Sequence, residues 1–438
     1  MLDAISPIDG RYQKYTEPLV KFFSEEAFIR QRIVMETEYL IALGESLKFK
    51  VEKFKVRELA KSFNRKDAEE IKKIELTTNH DLKAIEYWMR NKLPKEIGNW
   101  IHFGLTSEDA TNIAYGLIVS GALRDVMIPA LEKILESLKF QSLKFKGTPM
   151  LARTHGQHAS PTTFGKEMAV FAARLDRQIK QIKAWRAPGK LAGATGNYNA
   201  LVVAYPKIDW QKFSKKFVES FKLEHISLVT QIESHDGYAE LFDNLRRINT
   251  ILINFNQDIW RYISDGWIVQ KKIEGEVGSS AMPHKINPIK FENSEGNLGL
   301  ANALFGHFSF KLPVSRLQRD LSDSTVMRSV GVAFSYSIVG YSALLDGLGR
   351  ITVNESVMRQ ALSEHPEVLA EAIQTILRRE GVPMPYEKLK ELTRGKTPAL
   401  EDLKKFIENL EIDKKIKEEL LTIVPETYVG LAEKLAQY

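Results

Sequence analysis

The sequence predicts an all-α protein built around a bundle of long helices. Apolar residues recur every three or four positions over most of the chain, and several of these periodic segments exceed an average helix in length. Strand signals are scarce, and the clusters of Gly and Pro fall between the periodic segments. These three observations favour helices that bury their apolar stripes against one another.

Five long helical patterns occupy the middle of the chain, over 107–146, 161–187, 237–270, 289–310 and 322–348. The first is interrupted by Pro129. The second has Ser160 as a predicted cap and Pro161 in its first turn. Its apolar stripe consists of Phe164, Met168, Phe171, Leu175, Ile179 and Ile182.

The pattern over 237–270 predicts the longest helix. It contains no Pro and extends over more than thirty residues, which corresponds to a length of about 45–50 Å. Its stripe consists of Leu241, Leu245, Ile248, Leu252, Phe255, Ile259 and Ile263.

The two flanks read as shorter helices, broken after residue 350 by Gly-Pro clusters at 381–383 and 395–398. The best strand signal is 198–205, which predicts a short hairpin after the Gly-rich 193–196. We therefore expect three domains: an N-terminal helical domain over 1–106, a central bundle over 107–349 with a loop at about 275–290, and a C-terminal helical domain over 350–438.

Composition limits the functional classes. The 438 residues include no Cys, which excludes disulfides, Cys-ligated zinc and thiolate catalysis. There is no apolar run of about 18 residues and no secretory signal pattern, so we expect a cytoplasmic protein with no membrane partner. The net charge is +6 without a block of like charges, which favours an anionic small molecule over a nucleic acid as partner.

The loop from Gly278 to Pro288 is the most informative segment. Ser279 and Ser280 are adjacent hydroxyls, and a serine needs a base or a stabilised alkoxide before it can act. Two donors suited to a carboxylate, Lys285 and Asn287, follow within the same loop. A bare Ser-Ser pair is usually an ordinary turn, and the residues after it favour a site.

His155 is a candidate general acid or base, because it lies in a polar loop before a predicted helix. His158 follows at metal-ligand spacing, but two His residues alone are weak evidence for a metal and the neighbouring sequence supplies no third ligand. A structural or merely exposed His155 is the alternative.

Two further segments combine capping residues with candidate binding residues. Thr78 to Asp81 suits a helix N-cap or a site that includes Asn79 and His80. Thr106 and Asp109 resemble a capping box, while neighbouring hydroxyls at the same helix start suit an anion.

Arg319, Ser324 and Arg328 form a candidate phosphate cluster, for which a solvated helix start is the alternative. Asp9 to Tyr12 is a turn that carries Arg11 and an aromatic ring. The sequence has no P-loop, no Rossmann glycine fingerprint and no G-x-S-x-G nucleophile elbow.

The loop motif resembles the GSSxMPxKxNP signature of the fumarase/aspartase superfamily. Other segments select the adenylosuccinate lyase family within it, and the match runs essentially end to end. These segments are residues 6–12, 77–81, 106–109, 153–157, 291–297 and 386–392. His158 is a departure, since relatives often carry Pro or another residue there.

The resemblance implies β-elimination of fumarate from adenylosuccinate, giving AMP, and from SAICAR, giving AICAR. It implies no cofactor and no metal. It also implies a homotetramer whose long helices form a twenty-helix core, with each active site shared by three subunits. Two alternatives stay open: a lyase for another succinyl adduct, which would not need the phosphate cluster, and a structural protein that uses the bundle alone.

The resemblance also implies roles for individual residues. Ser279 is the implied base, although the choice between Ser279 and Ser280 is less secure than the position of the loop. His155 is the implied acid that protonates the leaving nitrogen. His102 is a second candidate for proton transfer. The residues implied to bind the succinyl carboxylates are Thr106, Ser107, Ser280, Lys285 and Asn287. The residues implied to hold the nucleotide or to line the site are Arg11, Tyr12, Asn79, His80, Asp81, Thr154, Gln231, Asn293, Arg319, Ser324, Thr325 and Arg328.

Overall fold

The computed structural model describes residues 2–275, 282, 284–394 and 398–437. Nearly all regular structure in these ranges is helical, which confirms the all-α prediction. Ser279 and Ser280 lie outside the described residues.

The N-terminal segment contains short and medium helices. Several begin at a capping side chain: the Ala27 N–H donates to Ser24 Oγ at 3.1 Å, for example. These helices are α1 (Gln13–Phe23), α2 (Glu25–Leu47), α3 (Lys53–Ser62), α4 (Arg65–Thr78), α5 (Asp81–Lys92) and α6 (Lys95–Gly98).

The middle of the chain carries the long helices. The first, α7 (Ser107–Ala122), continues through a π-helical turn, Leu123–Met127, into α8 (Ile128–Lys144). The others are α9 (Phe164–Ala184), α10 (Asn199–Ala204), α11 (Trp210–Ser220), α12 (Asp236–Ser264), α13 (Ile289–Lys311), α14 (Ser322–Met327) and α15 (Val330–Gly349).

The C-terminal segment again has shorter helices. They are α16 (Glu355–Ser363), a 3₁₀ turn at Pro366–Leu369, α17 (Ala370–Arg379), α18 (Pro385–Thr393), α19 (Leu400–Glu408), α20 (Lys414–Leu421) and α21 (Ala432–Leu435).

The described residues also form three pairs of short strands. Antiparallel β1 (Pro149–Thr154) and β2 (Gln157–Thr163) form a hairpin with a register shift between Met150 and Ala152. The pair of β3 (Pro188–Gly189) and β4 (Glu224–His225) is parallel, and that of β5 (Ile268–Gln270) and β6 (Ile351–Val353) is antiparallel.

The chain divides into two compact units, each made of three segments. Unit 1 comprises 1–131, 178–250 and 296–342, and unit 2 comprises 132–177, 251–295 and 343–438. In unit 1, α2, α4, α5, α7 and α11 enclose a core that includes the fully buried Tyr39 and Ile113. In unit 2, Phe171 of α9 packs edge-on against Phe255 of α12, and residues between Leu369 and Leu420 form a separate core. The three-domain division stays a prediction.

Both predicted apolar stripes are confirmed as buried faces. The six stripe residues of α9 are each at most 4 % exposed. Along α12 the stripe is buried from Leu241 to Ile259, and Ile263 at its end is half-buried. Burial of these side chains at about 1.5–3 kcal/mol each is what holds the long helices in place.

Several sequence-based boundaries were wrong. Residues 199–204 form α10 instead of a strand: Val202 and Val203 are both exposed, so burial does not alternate as in a strand. Ser160 and Pro161 belong to β2, because pairing with β1 delays the start of α9 to Phe164.

Two long helices end or break earlier than predicted. Helix α12 ends at Ser264, since Gly266 has φ 73° and the Trp267 N–H donates to Tyr262 O at 2.9 Å, as in a Schellman cap. The pattern over 322–348 is broken between Met327 and Val330, which places Arg328 at the end of the short α14.

Among the described residues, one helical stretch is long and apolar enough to cross a membrane. It is Ser107–Lys144, with a mean hydropathy of 1.4 over its best 18-residue window. Since 61 % of that window is buried inside the protein, it has the burial of a core helix.

Candidate active site

The start of α7 is fixed by a buried network around Asp109. The Thr106 N–H donates to Asp109 Oδ2 at 2.9 Å, so the predicted capping box is confirmed. Lys190 Nζ lies 2.8 Å from Asp109 Oδ1, and neither side chain is exposed to solvent. The Ala192 N–H donates to the same oxygen at 2.9 Å. This network holds the half-buried Thr106 and Ser107 at the positive end of the helix.

His80 caps α5 and also faces Ser107. The Lys83 N–H donates to His80 Nδ1 at 3.2 Å, so the neutral imidazole carries its proton on Nε2. That nitrogen lies 3.5 Å from Ser107 Oγ. His80 can therefore cap α5 and also belong to a site, because Nδ1 accepts the capping hydrogen bond and Nε2 faces Ser107. Asn79, at φ 49°, ends α4 and is exposed.

Asp81 is paired with two guanidinium groups. Arg32 Nη1 donates to Asp81 Oδ2 at 2.8 Å, and Arg328 Nη2 lies 3.6 Å from the same oxygen. Burial alone raises the pKa of Asp81, but Arg32 outweighs it and lowers that pKa below the usual range. Arg328 keeps half of its side chain exposed, so it remains able to meet a ligand.

Arg319 is held by carboxylates and by an amide. Its Nη2 lies 3.1 Å from Glu108 Oε2 and 3.7 Å from Asp323 Oδ2, and its Nη1 donates to Gln231 Oε1 at 3.2 Å. Burial raises the pKa of Glu108 to about 7, against the opposing charge of Arg319. A phosphate would therefore compete with Glu108 for this guanidinium.

Two histidines of unit 1, the half-buried His102 and the buried His235, have carboxylate partners. His102 Nδ1 lies 2.6 Å from Glu36 Oε1; burial lowers the pKa of His102, and Glu36 reverses that effect and raises it. His235 lies 3.2 Å from Glu233 and 3.6 Å from Asp323. Burial again lowers the pKa, but the two carboxylates raise that of His235 to about 10. His235 is therefore a buried cation that faces the carboxylate neighbour of Arg319.

Other predicted residues of unit 1 lie at the ends of elements. Arg11 is exposed and Tyr12 half-buried where α1 begins. Ser324 is half-buried and Thr325 exposed on α14. Gln231 also donates through Nε2 to Ala194 O at 3.0 Å, which ties its segment to the Gly-rich turn before α10.

In unit 2, His155 occupies the turn of the β1–β2 hairpin. Thr154 pairs with Gln157, and the two residues between them, His155 and Gly156, have φ of 54° and 77°. Positive φ at both central positions is the pattern of a type I′ turn. The turn is exposed, so the imidazole is presented to solvent instead of being buried in the core.

Arg153 anchors that hairpin. Its Nη1 donates to Asp265 Oδ2 at 2.7 Å, and its guanidinium lies 4.5 Å from the ring centre of Trp267. The position of His155 therefore depends on β1 as well as on the turn.

The remaining predicted residues of unit 2 lie around the start of α13. Lys285 is exposed and Asn287 half-buried. Gln270 Nε2 donates to Ile286 O at 2.8 Å, which attaches this segment to β5. Asn293 is half-buried on α13. Both predicted serines of the loop, Ser279 and Ser280, lie outside the described residues.

The structure thus groups the unit 1 residues into three contacts: His80 with Ser107, Asp81 with Arg328, and Gln231 with Arg319. Sequence reasoning missed the carboxylates Glu36 and Glu108 and the imidazole of His235. Glu108 lies inside the quoted segment 106–109 and had a local signal. Glu36 had no local signal, because its partner His102 lies far along the chain. His235 has one partner two residues away, Glu233, but its second partner, Asp323, is distant in the sequence.

Two family models match the chain. One, described as a lyase, matches residues 10–303, and one, described as the adenylosuccinate lyase C-terminal region, matches residues 315–429. The first covers more than half of the chain, so the protein is a lyase. The same fold occurs in a fumarate lyase from Mesorhizobium (TM-score 0.79, 19 % identity, 96 % of each chain). It also occurs in a 3-carboxy-cis,cis-muconate lactonizing enzyme from Pseudomonas putida (TM-score 0.75, 21 % identity, 96 % of this chain and 95 % of that one).

Relatives across the full length identify the family more narrowly. The chain is 48 % identical to the adenylosuccinate lyase of Legionella pneumophila, with 100 % of this chain and 98 % of the relative covered. It is 48 % identical to that of Dictyostelium discoideum, over 98 % and 97 % of the two chains, and 44 % identical to that of Escherichia coli, over 98 % and 97 %. The chain belongs to the adenylosuccinate lyase family.

Proposed function

We propose that this lyase cleaves adenylosuccinate to AMP and fumarate, and SAICAR to AICAR and fumarate, as a cytoplasmic enzyme of purine biosynthesis. In each reaction a proton leaves the carbon next to a carboxylate, the C–N bond breaks, and the departing nitrogen gains a proton. The observation that carries this proposal is the end-to-end similarity to the adenylosuccinate lyases of Legionella pneumophila, Dictyostelium discoideum and Escherichia coli.

Ser279 is the proposed base and His155 the proposed acid. A proton next to a carboxylate is weakly acidic, so its removal needs cations and donors that meet the charge developing on that carboxylate. Lys285, Asn287 and Ser280 have the chemistry for this, together with Thr106 and Ser107 at the positive end of α7. The exposed turn of the β1–β2 hairpin suits a residue that must reach a substrate.

The nucleotide is proposed to contact Arg11, Tyr12, Arg319, Ser324 and Arg328. Arg328 is the best placed of these for a phosphate, since half of its side chain is exposed and its partner Asp81 is shared with Arg32. Arg319 is more enclosed and supports Gln231, which we propose orients the substrate. A rival substrate without a phosphate would gain nothing from Arg328.

We also propose a homotetramer with shared active sites. The supporting observation is that exposed apolar side chains recur on the long helices, among them Trp260, Leu300 and Phe310. A bundle extended by other copies of the chain would cover such residues.

The decisive experiment follows absorbance as purified protein is mixed with adenylosuccinate and, separately, with SAICAR. We expect turnover of both. If well-folded protein turned over neither, the proposed function would be wrong; turnover of another succinyl adduct alone would favour the rival lyase.

Matched variants test the roles of the two serines. Ser279→Ala should nearly abolish kcat while substrate still binds, because losing a base removes help specific to the transition state. Ser280→Ala should mainly raise KM. The reverse pattern would make Ser280 the base. Mixing the inactive Ser279→Ala and His155→Gln proteins should restore part of the activity if sites are shared between subunits.

A further inference from the structure

Three potential metal ligands meet where the β1–β2 hairpin contacts the C-terminal segment of unit 2. They are His158 on β2, His365 just before the 3₁₀ turn, and Glu367 within that turn. Each offers one ligand atom, and these atoms all lie within 4.8 Å of one another. The proposed lyase reaction uses none of the three residues.

The distances approach those of a coordination site. His158 Nδ1 lies 3.6 Å from Glu367 Oε1, and His365 Nδ1 lies 2.9 Å from the same oxygen. The centres of the two imidazole rings are 3.6 Å apart. A tetrahedral zinc ion, with bonds of about 2.0–2.1 Å, separates its ligand atoms by about 3.3 Å. The ligand atoms are therefore near the required spacing, and side-chain rotations that move the two rings apart would bring all three onto one ion.

The Glu367 carboxylate is only partly satisfied by protein groups. Both imidazole contacts fall on Oε1, while Oε2 is buried without a hydrogen-bond partner. A buried carboxylate oxygen without a partner is costly. A cation bound at this carboxylate would offset that cost.

The two elements that supply the ligands are also held together nearby. Ser160 Oγ donates to Glu371 Oε2, and the Tyr428 hydroxyl donates to the same oxygen at 2.9 Å. The neighbouring cation, Arg153, is already paired with Asp265. A third of the His158 side chain is exposed, which gives an ion a path from solvent.

We propose that His158, His365 and Glu367 bind one divalent transition-metal ion of the zinc class. Two imidazoles and a carboxylate are typical ligands for zinc, and three protein ligands leave a fourth position for water. The ion would link β2 to the segment before α17, three residues from His155 along the hairpin. Its effect would be to fix the hairpin that carries the proposed acid.

The test titrates the metal-free, full-length protein with Co²⁺, whose tetrahedral complexes absorb visible light far more strongly than the hydrated ion. We expect saturation at one equivalent, loss of the band on adding Zn²⁺, and no competition by Mg²⁺. Zn²⁺ should also raise the Tm and slow amide hydrogen exchange in β1 and β2. Absence of a saturable band would overturn the proposal.

Single substitutions identify the ligands. His158→Gln and His365→Gln should each weaken Co²⁺ binding at least about tenfold, a loss of about 1.4 kcal/mol. His158→Gln is the safer variant because the side chain is exposed, and its Tm without metal checks that it is folded. His307→Gln, at an exposed histidine of α13, should bind as the unmodified protein does.

A further variant tests whether the ligands are His158, His365 and Glu367 or, as the sequence spacing alone would suggest, His155 and His158. His155→Gln should retain full Co²⁺ affinity, because the third and fourth positions come from Glu367 and water. If His155→Gln lost binding while His365→Gln kept it, the proposed ligand set would be wrong.

Discussion

The start of α7 and the turn of the β1–β2 hairpin place candidate site residues in opposite environments. At α7, Thr106 and Ser107 stand on the buried Asp109–Lys190 pair. At the hairpin, His155 stands on an exposed two-residue turn. Thr106 and Ser107, which are proposed to bind a carboxylate, are thus fixed by a buried network, whereas His155, which is proposed to transfer a proton, lies on an accessible turn. Changes in the first region should therefore affect folding, and changes in the second should affect turnover.

The largest effect is expected for His155→Gln. Loss of a general acid should lower kcat by about 10²–10⁴-fold. The Tm should stay unchanged, because the side chain is exposed. Steady-state kinetics and thermal melts measure the two effects, with His307→Gln as the control. A large fall in Tm would contradict the expectation that changes at the hairpin turn affect turnover and not folding.

The opposite pattern is expected for Lys190→Met. Removing the cation leaves Asp109 buried without its charge partner, which should lower the free energy of unfolding by about 3–5 kcal/mol. Denaturant unfolding measures this loss. Adding Asp109→Asn should recover part of it, since the uncompensated charge is then gone. If the single and the double variant were equally unstable, the uncompensated charge of Asp109 would not be the cause of the loss.

Two glycines with similar backbone angles sharpen the comparison. Gly196 has φ 81°, and an added Cβ would lie 2.1 Å from Val229 O, next to the segment that carries Gln231. Gly156 has φ 77° and no atom within 4 Å of an added Cβ. Gly196→Ala should destabilise the protein by more than about 2 kcal/mol and Gly156→Ala by about 1 kcal/mol. If urea unfolding gave equal losses of stability for the two variants, backbone strain alone would account for them, and the contact with Val229 O would add nothing.

The smallest expected effect is a change in the pH dependence of stability. The pKa of His102 is raised by Glu36, so its stabilising contribution is complete below about pH 6.5, the value in the unfolded chain, and is lost as pH rises through the folded value. The unmodified protein should therefore lose stability relative to His102→Gln between pH 6 and pH 9. Unfolding curves at both pH values measure this difference; a difference of the opposite sign would exclude the Glu36 pairing.

Much of the helical architecture could be predicted from the sequence, because helix formation and burial are both encoded in local periodicity. The stripes of α9 and α12, and the cap at Thr106, are examples. The predicted start of α9 was wrong because residues 157–163 pair with β1 as a strand, so the helix begins only at Phe164. The strand predicted over 198–205 was wrong. Its valines favour a strand on average, but a strand also needs a neighbouring strand to pair with, and residues 199–204 form α10.

The sequence by itself determined the fold class, the approximate positions of the long helices, and the segments from which the candidate site is drawn. The tertiary structure decided the partners: Glu108 for Arg319, Glu36 for His102, Arg32 and Arg328 for Asp81, and His365 with Glu367 for His158. The physical reason is one of range. Periodicity and capping act over a few residues and can be read locally, whereas burial and charge pairing depend on groups that only folding brings together.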